Sequence, residues 1–195
     1  QRSTGPSTQR TTRTKMTSSE LFSRRLGELR KRLAEAGIDI AVVTDDDSVY
    51  YYSGYYGYLH MDFGRPTLLV VVADGETVLI TPTMEKDLAE SLAVVDRIEL
   101  WNDGMGAEWR EALSDLLSTT ATIGIEPDLI PPLVRTFIDS IVDPKRYRDV
   151  TPLVSNMRMI KSKAELKIAR HAGEVGIAMM EAGREAIKEG VAEYE

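Results

Sequence analysis

Apolar positions along this chain follow two periods in turn. Phe22, Leu26, Leu29 and Leu33 come at steps of four, three and four, which sets them on one helical face. Thr17 and Glu20 have capping-box spacing at the start of that helix. Gly37 stands where a left-handed C-terminal cap belongs. The run Ile38-Asp39-Ile40-Ala41-Val42-Val43 then predicts a strand, ended by a solvated turn at Asp45-Asp46-Asp47. Residues 68–73 and 78–81 predict two more strands, joined as a hairpin across Ala73-Asp74-Gly75-Glu76. The first of these two is apolar without interruption, which implies cover on both faces.

Further along, the pattern predicts a helix over 84–93, a strand over 97–101, a helix over 107–117 and a strand over 122–126. A short helix over 131–141 can hold its proline in the first turn. A last short strand is expected at 147–150. Alternating helices and strands give an α/β layer structure, with at least one antiparallel pair from the hairpin. The end differs. Ser162 and Glu165 form a second capping box, and helical pattern runs on from about Lys163 to Lys188. At ~1.5 Å per residue that is a rod of roughly 39 Å. Ile168, Ala172, Val175, Met179, Ala182 and Ala186 mark one side of it. A helix of this length needs something further to pack on, and the stop at Tyr194-Glu195 without a cap reads as a truncation.

Residues 1–15 hold four basic residues, no acid and no apolar side chain larger than Pro6. Such a stretch buries nothing, so residues 1–16 are expected to be a disordered tail, with Met16 as the natural start. The net charge of −7 argues against nucleic acid and against an anionic membrane surface as partners. With no cysteine there is no disulfide framework and no thiolate metal site. A reducing, cytoplasmic location fits that. No apolar run approaches the ~18 residues of a membrane span.

Candidate chemistry is sparse. Phe63-Gly64-Arg65-Pro66 puts an aromatic ring and a cation where a loop meets a strand. Pro66 marks a strand start, because it cannot donate to a ladder. The planar fork of Arg65 suits a carboxylate, which takes two parallel hydrogen bonds from it. The plain alternative is an arginine lying along the end of a strand. Only two histidines exist, His60 in an expected loop and His171 on the long helix, and neither has metal-ligand spacing. Gly104-Met105-Gly106 lacks a third glycine and reads as a turn. Glu126-Pro127-Asp128 brings two carboxylates close in sequence without an identifiable acid or base partner. The tyrosines between Tyr50 and Tyr58 are β-prone and read as packing or interface residues.

Several segments, taken in order, resemble the N-terminal domain of the creatinase, prolidase and aminopeptidase P superfamily. They are Arg25-Leu26 through Asp39-Ile40, then Tyr51-Tyr52-Ser53-Gly54, Gly124-Ile125-Glu126, and Met157-Arg158-Met159-Ile160-Lys161-Ser162-Lys163-Ala164-Glu165. The last is the most specific and marks the hinge into the catalytic "pita-bread" domain. The resemblance spans residues 17–195. It implies a mixed β-sheet flanked by helices, ribonuclease-H-like, over 17–155. Residues 156–195 would be the hinge and first helix of a truncated C-terminal catalytic domain.

Within the superfamily the chain is most similar to the creatinases, through Phe63-Gly64-Arg65-Pro66, the hinge block and Glu193-Tyr194-Glu195. Those enzymes hydrolyse creatine to sarcosine and urea. The resemblance implies a homodimer in which Phe63 and Arg65 reach the partner's active site, Arg65 taking the carboxylate of a small-molecule substrate. It also implies that the catalytic residues lie beyond Glu195, so this chain alone would be inactive and would carry no cofactor. A divalent metal (Mn, Zn or Co) would belong to the missing domain only in a metallopeptidase of the Xaa-Pro type. A non-catalytic binding module on the same fold is the third reading. The tyrosine-rich lead-in departs from the creatinases and leaves the substrate open.

Overall fold

The computed structural model describes residues 18–57, 66–102, 108–117 and 120–192. The tail, Thr17, His60, Phe63, Arg65 and Gly104-Met105-Gly106 lie outside the described residues. The chain divides into two compact units between Val154 and Ser155.

In the first unit, the four-three-four spacing becomes helix α1 (Ser18–Glu35), with Leu26, Leu29 and Leu33 buried. Gly37 takes φ 65°, the left-handed conformation that ends a helix. The chain then enters β1 (Ile40–Val43), and the hairpin follows as β2 (Leu68–Val72) and β3 (Thr77–Pro82). A 3-10 turn at Thr83–Glu85 leads into α3 (Lys86–Leu92); β4 (Arg97–Trp101) and α4 (Glu108–Leu116) come next. The series closes with β5 (Ile123–Ile125), α5 (Pro132–Ile141) and β6 (Tyr147–Asp149), and α6 (Thr151–Met159) begins in this unit and continues past the division.

Two expectations are corrected. Asp45-Asp46-Asp47 is not a solvated turn, and Tyr50-Tyr51-Tyr52, β-prone as single residues, are helical. Asp46, Asp47 and these three tyrosines belong to helix α2 (Asp46–Ser53). Asp45 is its N-cap and accepts from the Ser48 N–H at 2.9 Å and the Ser48 hydroxyl at 2.8 Å. Asp46 and Asp47 occupy the first turn, where negative charge is favoured.

The six strands form one mixed sheet in the order β4-β3-β2-β1-β5-β6. β1 pairs antiparallel with β2 and parallel with β5; β3 pairs parallel with β4, and β5 with β6. Side chains alternate across a strand, so each buried strand feeds two cores. Ile40, Val42, Leu68, Val70, Val78, Ile80, Ile123 and Ile125 share one core with Trp109 and Leu113 of α4 and Val134 and Ile138 of α5. The alternate residues Ala41, Val43, Leu69, Val71 and Leu79 are equally buried and point to the other side. The result is a mixed sheet flanked by helices, as expected.

Gly124 shows why β5 carries a glycine. A Cβ there would stand 2.5 Å from Val150 Cγ1 and 3.1 Å from Ile38 Cγ2. The β5 backbone can therefore lie under the start of α6 only if residue 124 has no side chain.

In the second unit, α7 runs Lys163–Ala186 behind a complete capping box. The Ser162 N–H donates to Glu165 at 2.7 Å, and the Glu165 N–H donates to the Ser162 hydroxyl at 3.3 Å. None of its residues is buried. Among the described residues no helix is long and apolar enough to cross a membrane.

Candidate functional site

The geometry of greatest interest surrounds the two stems of the segment that holds Phe63 and Arg65. The stem before it is built by α2. The Arg25 guanidinium lies over the Tyr51 ring, 3.8 Å from its centroid, and donates to the Tyr51 carbonyl at 2.8 Å. This joins α1 to α2 by a cation–π contact and a charge-assisted hydrogen bond. The Ser53 hydroxyl donates to the Val49 carbonyl at 2.7 Å and accepts from the Tyr55 N–H at 3.1 Å. Gly54 then turns the chain out of α2 at φ 76°. The Tyr-Tyr-Ser-Gly segment is thus a helix ending that aims Tyr55 inward.

Tyr55 is 1% exposed, and its hydroxyl reaches two partners. It donates to Glu85 Oε2 at 3.1 Å and lies 3.2 Å from the Thr81 hydroxyl. Thr81 in turn lies 3.0 Å from the Thr67 hydroxyl. Each hydroxyl has one proton, and that of Tyr55 goes to the carboxylate. Thr81 must therefore donate to Tyr55, and Thr67 to Thr81. The chain of donors runs one way, from Thr67 through Thr81 and Tyr55 to Glu85. Burial, followed by the nearby Glu85 charge, pushes the Tyr55 phenol up to about 12, so it stays protonated.

The stem after the segment is tied to the same chain. Thr67 is buried and sits opposite Thr81, one step beyond the Leu68–Ile80 pair of the hairpin. The Trp101 indole N–H donates to the Pro66 carbonyl at 3.2 Å, and the Thr83 hydroxyl donates to the Trp101 carbonyl at 3.0 Å. At the other stem, a Cβ on Gly57 would come 2.5 Å from the Tyr55 hydroxyl. Both stems therefore rest on one buried polar cluster.

The remaining sequence candidates are not brought together. His171 is exposed on α7, 3.6 Å from Glu174 of the same helix. Glu126 is buried while Asp128 is exposed. A shallow groove of about 390 Å³ between α4 and α5 is lined by Arg110, Pro132, Leu133, Thr136, Phe137 and Ser140. Among the described residues lining it there is no carboxylate or imidazole. Among the described residues no cluster of three or more His, Asp or Glu could hold a metal ion. The hydroxyl chain was not singled out from the sequence. Its signal was the hairpin register, which sets Thr67 against Thr81.

Residues 25–160 match the family described as the creatinase/prolidase N-terminal domain. A creatinase from Bacillus sp. is 27% identical over 91% of this chain and 43% of its own length. An Xaa-Pro dipeptidase from Pyrococcus furiosus is 28% identical over 88% of this chain and 45% of its own. The chain thus spans less than half the length of either relative. Among solved structures, the creatinase/prolidase N-terminal domain of an X-Pro dipeptidase from Streptococcus pyogenes superposes with a TM-score of 0.59 at 22% identity. It covers 68% of this chain and 98% of that one.

Proposed function

Because this chain belongs to the creatinase/prolidase N-terminal domain family, we propose that it is the substrate-binding and dimerisation half of a creatinase-like hydrolase. The enzyme would cleave a C–N bond in creatine or a related small carboxylate, in the cytoplasm and as a homodimer. The observation that carries this reading is similarity to a creatinase over 91% of the chain, a span greater than the N-terminal domain alone. Arg65 supplies the fork for the substrate carboxylate, and Phe63 excludes water beside it, which strengthens charge-assisted hydrogen bonds. The hydrolytic groups reside in the remaining part of the enzyme, so residues 1–195 alone turn over nothing.

A second reading has a specific observation in its favour, the equal similarity to an Xaa-Pro dipeptidase. On that reading the rest of the protein holds a divalent Mn, Zn or Co ion, and this domain shapes the peptide site. The two readings part in one assay. The full-length protein is given creatine and Xaa-Pro dipeptides, with and without a chelator, beside the isolated chain as a control. Creatine turnover that survives chelation supports the first reading. Dipeptide hydrolysis abolished by chelation overturns it in favour of the second. Turnover of neither compound rejects both.

A further inference from the structure

We propose that the groove between α4 and α5 binds a small hydrophobic carboxylate, with Arg110 taking the carboxylate and Leu133 and Phe137 covering the apolar body. None of these residues belongs to the polar cluster at the two stems.

Arg110 is held in place from below. Trp109 is only 2% exposed, and its indole meets the Phe137 ring edge-on, with centroids 5.4 Å apart at 73°. The Arg110 guanidinium carbon lies 4.4 Å from the centre of the Trp109 ring and 5.9 Å from that of Phe137. A packed pair of rings therefore fixes the cation at the groove. A guanidinium over a ring engages it through its face, while its five N–H donors lie in its plane. A cation fixed in this way loses little freedom when it meets a carboxylate, whose two oxygens match two parallel N–H donors.

Helix α5 supplies the rest of the lining. Pro132, Thr136 and Ser140 follow at steps of four, as do Leu133 and Phe137, so two adjacent rows of one helix border the groove. Leu133 is 39% exposed and Phe137 half-buried, which leaves apolar surface open to a ligand. The volume of about 390 Å³ falls at the lower end of the ~300–1,000 Å³ range of small-molecule sites. The polar atoms give the groove a direction. The Ser140 hydroxyl donates to the Phe137 carbonyl at 2.6 Å, so its oxygen offers lone pairs to a ligand. A carboxylate only accepts, and finds no donor in Ser140. Arg110 is the one cation among the described residues of the lining, and no acid stands among them. The ligand charge that complements the groove is therefore negative and belongs at the Arg110 end. The chain as a whole carries −7 and repels anions, so affinity for one depends on this local cation.

The test is calorimetric titration of the full-length protein with 3-phenylpropionate, beside acetate, which lacks the apolar body, and 3-phenylpropionamide, which lacks the charge. 3-Phenylpropionate is expected to bind saturably with Kd under ~1 mM. The other two should bind about 10- to 100-fold more weakly, for want of the ring or of the charge-assisted bonds. Arg110→Gln removes the charge and keeps part of the stem over Trp109. It should weaken 3-phenylpropionate by about the same 10- to 100-fold and leave the amide unchanged. Thr136→Trp, at an exposed position on the rim, should fill the groove and abolish binding of both compounds. Melting temperature is followed for each variant. If Arg110→Gln does not fold, Thr136→Trp and the acid–amide comparison still decide. Equal affinity for acid and amide overturns the role of Arg110 and the carboxylate specificity with it. Affinity for 3-phenylpropionate that survives both substitutions places the ligand elsewhere and overturns the site. No saturable binding of 3-phenylpropionate by wild type overturns the proposal outright.

Discussion

The Phe22 ring lies against the backbone of Gly54, so that a Cβ on Gly54 would stand 2.6 Å from Phe22 Cε2. The contact holds the first turns of α1 against the C-terminal end of α2, where the chain turns toward Tyr55. Gly54 also has φ 76°, a conformation that penalises any other residue. Gly54→Ala is therefore expected to destabilise the chain by about 2–4 kcal/mol. Roughly 1 kcal/mol of that reflects the backbone and about 1–3 kcal/mol the overpacking. Urea denaturation measures it. The double variant Phe22→Leu/Gly54→Ala should recover the steric share only. No recovery would mean that the ring contact does not set the cost.

Asp96 gives a stability that depends on pH. It accepts from the Thr77 N–H at 2.7 Å and from Arg30, which also donates to the Thr77 hydroxyl at 2.7 Å. The Thr77 hydrogen bond first, and then Arg30, hold its carboxyl below the usual range. A depressed folded-state pKa gives stability that is present above the unfolded value of ~3.9 and is lost as pH falls through the folded value. Wild type should therefore exceed Asp96→Asn in stability at pH 7, and the gap should shrink below about pH 4. The Asp96 side chain is half exposed, so solvent screening keeps the gap under ~1 kcal/mol. A gap that stays constant from neutral to acid pH would show that charge is not its source.

On the proposed function, Arg65 acts across a subunit boundary of the full-length protein. Loss of one partner from a buried charged pair costs ~2–5 kcal/mol, or roughly 30- to several-thousand-fold in affinity. Arg65→Ala is expected to lower kcat/KM within that range. Arg65→Lys should be nearly as poor, because a point charge cannot reproduce the fork. Mixing Arg65→Ala subunits with subunits disabled in the catalytic half should restore activity, since one site of each mixed dimer is then intact. No recovery on mixing, with dimer exchange verified, would rule out action in trans. Loss of melting temperature with kcat/KM unchanged would make Arg65 a structural residue.

The sheet was legible in the sequence because burial on both faces leaves an unmistakable record. Residues 68–72 are apolar throughout, and the hairpin turn follows within three residues. Helix α7 was equally clear, since its capping box names its first turn. Helix α2 was misread for a physical reason. Tyr50, Tyr51 and Tyr52 favour strands as single residues, but Asp45 as N-cap and Gly54 as C-cap outweigh that preference across eight residues. Asp and Gly also mark turns, so these end signals alone do not separate a short helix from a loop. The hydroxyl chain was harder to see. Its members lie 14, 26 and 30 residues apart in pairs, and no spacing rule joins a tyrosine to a threonine and a glutamate at such distances. The β2–β3 register sets Thr67 against Thr81, while Tyr55 reaches them from the end of α2 and Glu85 from the turn after β3.

The position of β1 in the sheet has a consequence for synthesis. β1 lies between β2, its near neighbour in sequence, and β5. Asp39 and Thr122, which bond at the start of the β1–β5 pair, are 83 residues apart. At ~5–20 residues per second, the ribosome takes roughly 4–17 s to supply that second neighbour. Until then β1 presents one unpaired, wholly apolar edge. The hairpin can close early, because its loop is short and its entropy cost small. The parallel closure must come late, and the rate at which the nascent chain escapes aggregation is set there.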